Sequence, residues 1–241
     1  MTSGIFQLGD FASAEDDKRQ QALAAELQTE ACLKEMQLEP LREEYFNEKP
    51  SCEYADGHYA EVYAAEHFIR NFGPSRAAVM QGIRTLQSSG SQHERAMGYS
   101  YEAYFYTQSG RWLQGAELYI RAAAERQGHA FYYGYAARAI AKQLRLPGVR
   151  QDKSLWTKAA VLMQRAIRLD DCNARWHYYQ ALNLSHLAPF LAAGGQQELA
   201  EYLLTEADAE MSLAEKYLRE DQTDLRRHVE REKAKLKKLA V

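Results

Sequence analysis

Proline, glycine and cysteine are scarce in this chain: 5, 14 and 3 of 241 residues. With so few breakers, and with Ala, Leu, Glu and Gln in abundance, the composition favours helix. The cysteines, Cys32, Cys52 and Cys172, stand far apart with no CxxC. No pairing is implied, and a reducing, cytoplasmic location is expected. No run of about 18 apolar residues is present to span a membrane. Residues 1–17 have neither a basic start nor an apolar core, which argues against a secretory leader; their acidity argues against a mitochondrial one.

Signatures of chemistry are missing as well. There is no glycine-rich phosphate loop, no HExxH, no zinc-type Cys/His spacing and no GxSxG. His177 and His186 are nine residues apart, which does not set them on one helical face. Glu61, Glu66 and His67 lack the Glu-x-x-His spacing of metal sites inside helical bundles. No catalytic residue, metal or cofactor is expected, and the chain is read as a non-enzyme.

Charge is present but unevenly spread. Residues 1–66 carry 5 Lys and Arg against 15 Asp and Glu, a net −10; residues 67–218 carry +4 and residues 219–241 carry +3. The oppositely charged ends can attract one another or steer different partners, or can simply be solvated. Three regions follow. Residues 1–57 form an acidic helical segment and loop, with Leu23, Leu27 and Ala31 as an apolar stripe on a helix over 14–38. Residues 58–218 are helical throughout, with helices over 58–71 and 75–86 and a turn at Ser88-Ser89-Gly90-Ser91. Residues 219–241 hold a basic helix over 223–239, whose few apolar contacts are Leu225, Val229, Leu236 and Leu239.

From Ala96 onward a 34-residue frame recurs. Its first copy places Tyr99, Ala103, Tyr106, Gly110, Trp112, Gly115, Tyr119 and Ala122 at positions 4, 8, 11, 15, 17, 20, 24 and 27. The second starts at Ala130 without a gap. Tyr133, Ala137 and Ile140 take positions 4, 8 and 11; after an insertion at 146–148, Trp156, Ala159, Met163 and Ala166 take 17, 20, 24 and 27. The third starts at Ala174, with Ala181 and Leu184 at 8 and 11, a long loop expected over 189–195, and then Ala207, Met211 and Ala214. Small residues at 8, 20 and 27 let two helices approach closely, and the aromatics between them bury about 150–250 Å² each.

This pattern resembles the tetratricopeptide repeat (TPR) family over about residues 96–218, with a weaker unit at 58–90. No copy carries the family's Pro at position 32. The resemblance implies an all-α fold, an α-solenoid of antiparallel helix pairs with N- and C-terminal capping helices. It also implies a concave groove lined by positions 2, 5, 9, 12 and 13 of each first helix. Those positions hold Met97, Ser100, Tyr104, Thr107 and Gln108; then Phe131, Gly134, Arg138, Ala141 and Lys142; then Arg175, Tyr178, Leu182, Ser185 and His186. The groove is aromatic, with Arg138, Lys142 and Arg175 as positive charges and no carboxylate. The expected partner is another protein, offering a peptide or helix with apolar anchors and acidic character. The carboxylate clamp that some TPR proteins use for chaperone tails is missing, since Ser100, Tyr104 and Tyr135 stand in its place.

A basic run, Arg226, Arg227, Arg231, Lys233, Lys235, Lys237 and Lys238, is the other candidate surface. A solvated capping helix is its first reading, with Glu230 and Glu232 interrupting it. A nucleic-acid-associated regulatory role is the alternative. An uncapped solenoid end would expose apolar surface, so a homo-oligomer is also open to the chain.

Overall fold

The computed structural model describes Ala65 and residues 76–239. All fall in the second of two units into which the chain divides, Leu41–Val241. The expected helices over 14–38 and 58–71, the acidic region 1–57, and Cys32 and Cys52 lie outside the described residues, apart from Ala65, which is helical. Eight helices and no strand are found among the described residues. They are α1 (Arg76–Gln87), α2 (Gln92–Gln108), α3 (Trp112–Glu125), α4 (Ala130–Leu144), α5 (Lys153–Leu169), α6 (Ala174–Ala193), α7 (Gln197–Lys216) and α8 (Thr223–Leu239).

Each helix packs chiefly on its neighbours in sequence, and α2/α3, α4/α5 and α6/α7 are the most extensively packed pairs. Helices two apart also meet, α4 with α6 and α6 with α8. The small residues of the recurrent frame make these contacts. Ala103, Ala122, Ala137, Ala159, Ala166, Ala181, Ala207 and Ala214 are all 0% exposed. At Gly115 an added Cβ would stand 2.4 Å from Thr107 Cγ2 and 3.0 Å from the Ala103 carbonyl, so α2 and α3 meet backbone to backbone there. Between pairs the device is the same: a Cβ on Gly134 of α4 would lie 2.6 Å from the Trp176 ring of α6.

Helix ends follow from local chemistry. Asp152 caps α5 by accepting from the Ser154 and Leu155 amides, and Asn173 caps α6 through the Arg175 amide. The α2/α3 and α6/α7 turns share one geometry. Gly110 (φ 76°) and Gly195 (φ 77°) sit just beyond their helices. The next amides, of Arg111 and Gln196, donate back to Tyr106 and Leu191, each at 2.9 Å. This is the Schellman closure, which needs the left-handed conformation that glycine adopts without cost.

The third pair is longer than the first. Gly110 lies 14 residues after Ala96, but Gly195 lies 21 after Ala174. Gly115 follows its turn glycine by 5 residues, but Ala207 follows by 12. Each arm has gained seven residues, nearly two turns or about 10 Å, so the buried face keeps its direction. This corrects the loop expected over 189–195. Helix α6 runs through Pro189 to Ala193. Proline in a helix costs about 3 kcal/mol. Leu187 and Leu191, both 0% exposed, return about 1.5–3 kcal/mol each on burial, and burial wins.

Candidate functional site

Helix α4 ends in a basic turn. Arg138, Lys142 and Arg145 are spaced three or four residues apart, so they share one face. The start of α6 brings Arg175, Tyr178 and Tyr179 alongside, and the α7–α8 turn with the first three turns of α8 brings Gln222, Thr223, His228 and Arg231. Together these residues line a cleft of about 610 Å³, with Leu146 and Leu225 as apolar wall and Asp221 and Asp224 as the two carboxylates on it.

The cations are held differently. Arg138 is inserted between two rings, its guanidinium carbon 5.4 Å from the Tyr135 centroid and 5.5 Å from that of Tyr179. Burial works to lower its pKa, but the two phenols overrule it and the net shift is upward, so the charge is permanent. Arg145 donates from Nε to the Ala141 carbonyl at 3.1 Å, closing the end of α4. Lys142 is exposed, its ammonium 5.9 Å from the Trp112 ring. Burial, with Tyr179 and Glu232 adding to it, pushes the Tyr178 phenol up to about 12, so it stays protonated and able to donate. The two carboxylates face other cations, Asp221 at 3.4 Å from Arg219 and Asp224 at 3.4 Å from Arg227.

Of the groove residues named from the sequence, Arg138, Lys142, Arg175 and Tyr178 meet in this cleft, and Arg231 of the basic run joins them. The remainder lie elsewhere. Met97 and Tyr104 pack on a cluster of Ala65, Val79, Ile83 and Tyr101. Ser100 and Thr107 are buried, and Gln108 is exposed on α2. Phe131 is buried and stacks on Tyr135 at 4.2 Å. Leu182 is buried too. His186 lies flat on the Trp156 ring at 4.5 Å. Lost hydration on that face, followed by Arg145 nearby, lowers its pKa.

The cleft is not free of carboxylates as expected: the α7–α8 turn contributes Asp221, and the first turn of α8 contributes Asp224. Arg145, Tyr179, Gln222 and His228 were missed. The signal available was positional: α8 follows α7 in the chain as α6 follows α5, and it packs on α6 as α6 packs on α4.

Compared with protein-family models, curated proteins and solved structures, the chain gives no significant match in any of the three.

Most of the basic run is already paired. Arg227 reaches Asp224, Arg231 and Lys235 both reach Glu232 at 3.0 and 2.9 Å, and Lys233 reaches Glu215 of α7 at 2.6 Å. Arg226 is exposed, and the side chains of Lys237 and Lys238 lie outside the described residues. Leu225, Val229 and Leu236 are the buried contacts that seat α8. Among the described residues no group of three His, Cys, Asp or Glu is arranged to hold a metal, and no helix is long and apolar enough to cross a membrane.

Proposed function

We propose that this chain is a cytoplasmic, non-enzymatic binding module, a TPR-like α-solenoid whose first-helix face holds an acidic peptide or helix of another protein. The observation that carries it is the cleft between α4, α6 and α8, where five cationic side chains stand beside two tyrosines and two leucines. Cations steer and orient an acidic partner, while the rings and leucines receive its apolar anchors. The uniform burial of the alanines at frame positions 8, 20 and 27 supports the repeat reading. The nucleic-acid reading of α8 has less support, because Arg227, Arg231, Lys233 and Lys235 are engaged with carboxylates.

A random peptide library selected against the intact chain tests the proposal. Enrichment of peptides combining Asp or Glu with aromatic or aliphatic residues is expected. Their binding should be lost in Lys142→Glu/Arg145→Glu, with helical circular dichroism unchanged, since both side chains are exposed. Peptides without acidic bias, or binding untouched by that variant, would refute it.

A further inference from the structure

We infer that an internal water site lies between α5 and α6, held by the side-chain amides of Asn183 and Gln180. Neither residue lines the cleft, and the site is independent of the peptide-binding reading.

Gln180, Asn183 and His186 follow one another at three-residue spacing on α6, so they share one face. Two contacts turn that face toward α5. Gln180 Nε2 donates to Gln164 Oε1 at 3.1 Å, and His186 stacks on Trp156 at 4.5 Å. Trp156 and Gln164 are eight residues apart on α5. Ala160 lies midway between them, as Asn183 lies midway between Gln180 and His186. The antiparallel register therefore sets Asn183 opposite Ala160. Asn183 and Gln180 are each 1% exposed and Ala160 is 0% exposed, so the seam is closed to solvent.

Among the described residues, neither Oδ1 nor Nδ2 of Asn183 has a hydrogen-bond partner, and Gln180 Oε1 has none either. Exchanging the oxygen and nitrogen of the Asn183 amide changes nothing, because both ends are unpartnered. Trp156 Nε1 is already given to Gln151 at 3.0 Å. A buried amide left without a partner is costly, and native cores satisfy nearly all such groups with protein or with ordered water. The Trp156–His186 stack and the Gln164–Gln180 bond hold the helices apart on either side, while Ala160 offers only a methyl group across from Asn183. The donor set decides what fits there. Two acceptor oxygens and one amide donor call for a ligand that both donates and accepts, which a cation does not. Water does so, and internal waters make about three such bonds. Side chains three apart on a helix stand about 5–6 Å from one another at Cβ, a span that one water bridges. It accepts from Asn183 Nδ2 and donates to Gln180 Oε1.

Two measurements on the full chain test this. Oxygen-17 relaxation dispersion counts the long-lived internal waters, and cross-relaxation between water and the Asn183 side-chain amide protons locates this one. The wild-type amide protons should show a direct cross peak to water with the sign of a bound molecule. Asn183→Leu, close in volume, should lose at least one long-lived water with helical circular dichroism unchanged. Gln180→Met keeps the length of the side chain and removes Oε1, and should weaken the Asn183 cross peak. A wild-type chain without that cross peak overturns the inference, whether or not the variants fold. So does a folded Asn183→Leu chain that keeps every long-lived water.

Discussion

His177 Nδ1 lies 2.5 Å from Glu210 Oε2 across the α6–α7 interface, and its Nε2 lies 2.6 Å from the Asp171 carbonyl. The carbonyl can only accept, so Nε2 carries a proton; with the carboxylate ionised, Nδ1 carries one too, and the ring is an imidazolium. His177 is buried and Tyr217 stacks on it at 5.5 Å. In the recurrent frame, His177 occupies the place of Tyr99 and Tyr133, and Glu210 the place of Leu118 and Leu162. An ion pair has replaced an aromatic and a leucine at the heart of the longest pair.

The pair makes stability depend on pH. Burial works to lower the His177 pKa from 6.5, but the Glu210 hydrogen bond and charge, with the Asp171 carbonyl, carry it upward. A raised folded pKa gives stabilisation that is complete below about 6.5 and lost as pH rises through the folded value. The urea midpoint should therefore fall between about pH 6 and pH 9. In His177→Tyr/Glu210→Leu that dependence should flatten. Each single change, which strands a buried polar partner, should cost about 3–5 kcal/mol, while the double change should be neutral or stabilising. Additive losses in the double-mutant cycle would sink this account.

Three glycines should respond differently to alanine. Gly134→Ala drives a methyl into the Trp176 ring and should cost about 1–3 kcal/mol. Gly195→Ala keeps open space but not its left-handed backbone, and should cost about 1–2 kcal/mol. Gly128→Ala meets nothing within 4 Å and has no positive φ; it should be neutral or gain about 0.4–1 kcal/mol. Thermal melts of the three variants would show whether that order holds.

Gln151 ties the α4–α5 turn together. It donates to the Leu144 carbonyl at 2.6 Å and accepts from Trp156 Nε1 at 3.0 Å. Trp156 is 0% exposed, so Gln151→Ala leaves a buried indole N–H without its acceptor, at a cost of about 1–3 kcal/mol. Tryptophan fluorescence during denaturation should report the loss.

Pro189 is tolerated in α6, not required there. Its side chain is exposed, and its ring carries no N–H for the helix hydrogen bond. Pro189→Ala should stabilise by about 1–2 kcal/mol, since the restored helix bond outweighs the greater freedom of the unfolded chain. A fall in melting temperature would mean that the proline shapes the α6/α7 packing itself.

Helices and their buried stripes were readable because each depends on residues within a turn or two of one another. Ala103, Ala137 and Ala181 announce close approach simply by being small at a regular spacing. Arg138, Lys142, Arg175 and Tyr178 were found together because two helices in register repeat the same face. The loop expected at 189–195 failed because Pro189 is a local stop signal. Its effect was overruled by Leu187 and Leu191, whose complete burial is decided by the tertiary packing.

By itself the sequence determined an all-helical chain among the described residues, the places where backbones touch, and the basic face of α4. Tertiary structure alone decided that α8 and the turn before it would bring Arg231 and two carboxylates to that face, and that His177 would meet Glu210 33 residues away. The reason is range. Helix propensity and spacing act along the chain, whereas charge pairing and desolvation depend on which distant side chains packing brings within a few ångströms.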